Sequence, residues 1–169
     1  LDDAAKAVDK VDDAADAVKN VENAAGISDK TLESIQRAIA TGTEETWNEF
    51  VKANPGRNLD ELSKAYIELV EGQSPWPEGF VPKENVLKGG DTIEMALDSS
   101  QPITSPGNFA TTENAIKDVD FVRNNLAVKS DWKADCSKVV TYRVKEGVEI
   151  PILEGPVGPQ IDINANKYL

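Results

Sequence analysis

Residues Pro106-Gly107-Asn108-Phe109-Ala110-Thr111-Thr112-Glu113 place a glycine turn, an aromatic, two adjacent hydroxyls and a carboxylate in one short stretch. Hydroxyls in such a setting orient a ribose or a carboxylate, and Phe109 offers a face on which a flat ring stacks. A plainer role is also open: Thr111 or Thr112 caps a helix beginning near Glu113. Tyr142-Arg143 sets an aromatic beside a bidentate anion clamp within the most β-like run of the chain. An exposed Arg143 paired with an acid is the plainer alternative there. Lys88-Gly89-Gly90-Asp91 reads as a glycine turn. Among the acids, Glu146, Glu149, Glu154 and Asp162 are each able to act as a catalytic carboxylate, and spacing selects none of them. Cys136 has no histidine to activate it and is expected to be structural.

The composition narrows the chemistry. The 169 residues carry 18 Lys+Arg against 30 Asp+Glu, a net charge of -12, and only four of the cations are Arg: Arg37, Arg57, Arg123 and Arg143. A phosphate-backbone binder needs a basic face, so nucleic acid is a poor match. With no His and one Cys, His-based acid–base chemistry, Ser-His-Asp triads, His-ligated zinc, internal disulfides and Cys metal clusters are all removed. The expected metal content is none. No apolar run approaches the roughly 18 residues of a membrane span. The opening residues lack a basic region followed by an apolar stretch. Leu1 opens the chain, and the expectation is a piece of a longer protein.

These residues must be positioned by a fold of modest size. LDDAAKAVDK, VDDAADAVKN and VENAAGISDK repeat with a period of ten. Leu1, Ala4, Val8, Val11, Ala15 and Val18 form one helical stripe of small residues, expected to serve as a linker over 1–27. Ser28 then caps a helix carrying Leu32, Ile35 and Ile39, and Thr43 starts another with Trp47, Phe50 and Val51. Asn54-Pro55-Gly56 breaks it. Asn58 or Asp60 caps a third helix with a stripe of Leu59, Leu62, Ala65, Tyr66, Leu69 and Val70. Residues 28–71 therefore read as helical.

The Pro/Gly-rich stretch 72–90, with Trp76 and Phe80, reads as an ordered loop packed on a core. Asp91–Leu97 fits a short helix or a strand. A helix is expected after Thr112-Glu113, through Ala115, Ile116, Val119, Phe121, Val122 and Leu126. Val139–Val144 is the clearest strand. Lys145-Glu146-Gly147 turns it into Val148–Leu153, where Pro151 favours an edge. A last short strand falls at Gln160–Ile163. Helices first and strands later predict an α+β fold, with N-terminal helices and a small, mainly antiparallel sheet, as a single domain over 28–169.

The repeats of residues 1–30 resemble the tracts that precede C-terminal toxin domains of large bacterial polymorphic toxins of the Rhs and contact-dependent inhibition types. Val21-Glu22-Asn23-Ala24 resembles the VENN tetrapeptide of the latter and differs at its fourth residue. Gly107–Thr112 resembles the aromatic-Ser/Thr strand of ADP-ribosyltransferase-like toxins. Val140–Gly147 and Glu154–Gln160 resemble the closing strands of NAD-consuming toxin domains, so the likeness covers residues 80–169. Lys88 stands where that pattern has Arg, and Gln160-Ile161-Asp162 where it has a late Glu.

The resemblance implies NAD as the ligand. Phe109 or Tyr142 would wall the nicotinamide, Arg143 or Lys88 would hold the phosphates, and Thr111 would orient the carboxylate. Glu113 is the candidate carboxylate and Gln160 a candidate dinucleotide contact. The implied function is an antibacterial effector that transfers ADP-ribose or hydrolyses NAD. Such an effector is secreted by a bacterium, delivered to a target-cell cytoplasm and neutralised by a cognate immunity protein. A nuclease toxin and a non-enzymatic immunity or interaction module are the alternatives.

Overall fold

The computed structural model describes residues 27–169, so residues 1–26 of the repeat segment, with Val21-Glu22-Asn23-Ala24, lie outside the described residues. The fold is α+β, with helices followed by small antiparallel sheets. The chain divides into two compact units. One holds the helices up to Gln73 together with Gln160–Tyr168, and the other runs from Ser74 to Pro159.

The helical unit contains α1 (Asp29–Thr41), α2 (Glu44–Ala53) and α3 (Leu59–Gly72), closed by the two-residue strands β5 (Ile161–Asp162) and β6 (Lys167–Tyr168). Each helix starts where an oxygen-bearing side chain captures an otherwise unpaired amide. Ser28 Oγ accepts from Thr31 N, Thr43 and Thr46 form a reciprocal capping box, and Asn58 Oδ1 accepts from Glu61 N at 2.9 Å. The predicted stripes meet in a core of Ile35, Ala38, Ile39, Trp47, Phe50, Leu62, Tyr66 and Ile161. Tyr66 anchors it. Its ring packs edge-on against Trp47 and Phe50, each at 5.4 Å between centroids. Its hydroxyl shares a 2.6 Å hydrogen bond with Thr46 Oγ1, which removes the penalty of a buried phenol. Gln160, next to β5, is buried in this unit.

The second unit is built on an antiparallel ribbon. Strand β1 (Lys83–Lys88) pairs with β4 (Glu149–Glu154), and β2 (Thr92–Leu97) pairs with β3 (Lys138–Arg143). Between the two halves, Gly89 and Gly90 stand opposite Lys145–Val148, and the register shifts. A Cβ on Gly89 would meet Glu146 Cα at 2.9 Å, so the crossing requires glycine there. Strand β1 was expected to be part of a loop. It is exposed along nearly its whole length and therefore carries no apolar alternation to announce it.

The aromatics of loop 73–82 were expected to pack on a core, but Phe80 stays 38% exposed and Trp76 is only partly buried. Trp76 and Phe80 pack together, and Gly158 N donates to Pro75 O at 2.8 Å. A Cβ on Gly158 would lie 2.2 Å from the Trp76 carbonyl carbon, so the backbones touch only because Gly158 has no side chain.

The helix expected from Glu113 to Leu126 is reduced to α4 (Val119–Asn124), capped by Asp118, whose Oδ1 accepts from Phe121 N at 2.7 Å. Two features prevent an earlier start. Asn114 adopts a left-handed φ of 62, and the carboxylate of Glu94 takes the amides of Asn114 and Ile116 at 3.1 and 2.7 Å. Neither Thr111 nor Thr112 caps a helix.

The long connection from β2 to β3 is pinned by Arg123. Its guanidinium donates to the carbonyls of Val128, Lys129, Lys133 and Ala134. Beside it, Cys136 is buried, and burial pushes its thiol pKa up while Arg123 and Lys133 pull it down.

Candidate functional site

The site is assembled on one face of the β2–β3 half of the ribbon. Residues directly opposite each other in an antiparallel pair project to the same face. Thr92 faces Arg143 and Glu94 faces Thr141. On the other side of β2, Thr111 pairs with Glu94 through two backbone hydrogen bonds of 2.8 and 2.9 Å. Two residues further, Glu113 reaches Thr92, whose Oγ1 donates to Glu113 Oε2 at 2.6 Å. Two parallel rows result. One runs Glu113, Thr92, Arg143, and the other runs Thr111, Glu94, Thr141.

This arrangement brings Arg143, Thr111 and Glu113 to a single face. Arg143 is exposed, and among the described residues its guanidinium has no hydrogen bond or ion pair. Glu113 is held by a hydroxyl rather than by a cation. The strand spacing keeps the two opposite charges on either side of Thr92 instead of joined in a salt bridge. Glu94 is only 5% exposed, and its carboxylate shapes the turn that carries Glu113 by accepting from Asn114 and Ile116. Phe109 is two residues before Thr111, 67% exposed, and its ring is available for stacking.

Tyr142 and Lys88 are not on this face. Tyr142 alternates to the opposite face of β3, opposite Ile93, and its hydroxyl donates to Ile103 O at 2.8 Å. It secures the 98–105 turn, and Tyr142 and Arg143 lie on opposite faces of β3. Lys88 ends β1, across the kink from Thr92. It shares an open concavity of about 470 Å³ with Gly89 and Glu146–Glu149. Two carboxylates beside one ammonium make a poor phosphate cradle. Gln160 belongs to the helical unit.

Sequence reasoning missed Thr92 and Glu94. A lone carboxylate inside the apolar run Thr92-Ile93-Glu94-Met95-Ala96-Leu97 was the available signal, because a buried Glu needs a specific partner. Thr92 gave no signal, since its partner lies twenty-one residues away.

No group of three or more acidic, Cys or His side chains able to hold a metal occurs among the described residues. No helix among them is long and apolar enough to cross a membrane. No protein-family model, curated protein or solved structure matches the chain.

Proposed function

We propose that this chain is an effector domain of the bacterial polymorphic-toxin type that uses NAD, by ADP-ribosyl transfer or by hydrolysis. The observation that carries the reading is the row Glu113–Thr92–Arg143, in which a guanidinium without a partner among the described residues and a carboxylate fixed by a hydroxyl share a face without neutralising each other. A ligand that is anionic at one end and becomes cationic at a nearby carbon satisfies both groups. NAD has this character, with a diphosphate and a ribose carbon that gains positive charge as nicotinamide leaves.

The chain's residues fit such a substrate. Arg143 presents paired N–H donors to diphosphate oxygens. Glu113 stabilises the positive charge that develops on the ribose as the bond to nicotinamide breaks and its electron pair departs with the nicotinamide. Thr92 holds that carboxylate in place. Phe109 offers the stacking surface for a flat ring. Water or a nucleophile of a target macromolecule completes the substitution, and its proton passes to Glu113 or to solvent. The acidic surface fits an immunity partner with a basic face.

The test is induced expression of the chain in the bacterial cytoplasm, with growth and total NAD followed together. Growth arrest with falling NAD, abolished in Arg143→Ala, is the expected result. Arrest with constant NAD and cleaved RNA would replace this reading with a nuclease. Unimpeded growth with folded protein at high level would replace it with a non-enzymatic module.

A further inference from the structure

Among the described residues strand β1 pairs with β4 alone, and only Leu87 along its length is partly covered. Pro151 stands opposite Val86. Proline has no N–H to give the ladder, so at this pair the backbone groups point away from the partner strand. The two-residue alternation then directs the N–H groups of Glu84, Val86 and Lys88 off the outer edge of β1. Two of these are capped by side chains. Val86 N donates to Asn85 Oδ1 at 2.8 Å, and Lys88 N donates to Asp91 Oδ2 at 2.7 Å. Asn85 is itself held across the ribbon, its Nδ2 donating to Glu154 Oε2 at 3.0 Å. The outer edge of β4 lacks a donor at Pro151, which leaves β1 as the edge of the β1–β4 half better able to extend the ribbon.

We propose that the outer edge of β1 pairs with the same edge of a second copy of this chain, antiparallel about a two-fold axis at Val86, and that Asn85 and Asp91 hold this edge closed in the single chain. The sequence of β1 is self-complementary in that register. Val86 faces its own copy, and Glu84 faces Lys88 in both directions. All three side chains lie on one face of the strand and are exposed, Val86 by 41%. Opposite charges and a pair of β-branched side chains are favourable cross-strand neighbours. A two-fold axis makes each contact occur twice. Pairing replaces each local cap with a hydrogen bond to the second copy, so the balance between caps and pairing sets the affinity.

Sedimentation of the full chain tests this. N85A/D91A is expected to self-associate about tenfold more tightly than the wild type, with the circular dichroism of a folded chain. Adding Val86→Pro to that background is expected to abolish the gain, because it removes the central outward donor while the β1–β4 ladder does not use it. Adding Glu84→Lys is expected to weaken the dimer, and E84K/K88E to restore it. If N85A/D91A does not fold, Asn85→Thr alone uncaps the two-fold centre, leaves the Asp91 turn intact and is expected to shift association in the same direction. A folded uncapped variant that associates no more tightly than the wild type would overturn the proposal. So would a dimer that Val86→Pro and Glu84→Lys leave unchanged.

Discussion

Thr92 and Glu113 are joined by a 2.6 Å hydrogen bond between segments twenty-one residues apart, and Arg143 stands opposite Thr92 on the neighbouring strand. The carboxylate thus depends for its position on a residue that makes no other claim to chemistry. Thr92→Val keeps the shape and β propensity of the side chain and removes only the donor. It is expected to lower NAD turnover about tenfold, with little change in thermal stability, since one exposed hydrogen bond contributes only about 1 kcal/mol. Turnover and melting temperature of Thr92→Val, measured together, check this.

Arg143 is exposed and makes no bond within the described chain, so its replacement leaves the fold intact. On the proposed NAD reading, Arg143→Ala is expected to weaken NAD binding by about 2 kcal/mol, roughly thirtyfold, because the guanidinium proposed to hold the diphosphate is removed. Arg143→Lys recovers only part of this, because a point charge replaces a two-pronged donor. Calorimetric titration of the three proteins with NAD reads both effects.

Arg123 is the contrasting cation. It donates to four backbone carbonyls of the 128–134 loop. Arg123→Ala leaves those acceptors without their donor and is expected to cost about 2–4 kcal/mol. Urea unfolding of the variant measures the loss. Binding of NAD is expected to weaken only as far as the population of folded chain falls.

Gly158→Ala is expected to destabilise the Trp76 loop, because the new Cβ would overlap backbone rather than a flexible side chain. Quenching of tryptophan fluorescence by a neutral solute is expected to rise in this variant. An unchanged quenching curve would contradict the packing described.

The acid limb of stability has an identifiable source. Ser100 holds the Asp98 carboxyl below the usual carboxylate range, and Ser99 and then Ser137 do the same for Asp135. A depressed folded pKa means stability that is fully present above the unfolded value of about 3.9 and lost as pH falls through the folded value. The melting temperature is therefore expected to fall below about pH 4. Asp135→Asn is expected to differ from the wild type at neutral pH and to converge with it in acid.

The helical unit was legible because cap residues and apolar stripes point the same way. Ser28, Thr43 and Asn58 each precede a stripe that ends in the core. Strand β1 was not legible, since a strand exposed on both faces has no alternation. The helix predicted after Thr112 failed on a long-range cause: Glu94, a β2 residue, takes the amides that would begin it. The candidate site was partly legible. Its charged and hydroxyl residues stood out by type, while Thr92, which links the two sides, is visible only once β2 pairs with β3 and with Thr111.

The most direct test is the release of nicotinamide from NAD by the purified chain, with and without bacterial lysate as a source of acceptors. Release by the wild type that falls at least tenfold in both Arg143→Ala and Glu113→Gln, with both variants folded, is the predicted result. No release above the blank under either condition, or release that both variants retain in full, would contradict the assignment of this face as the NAD site.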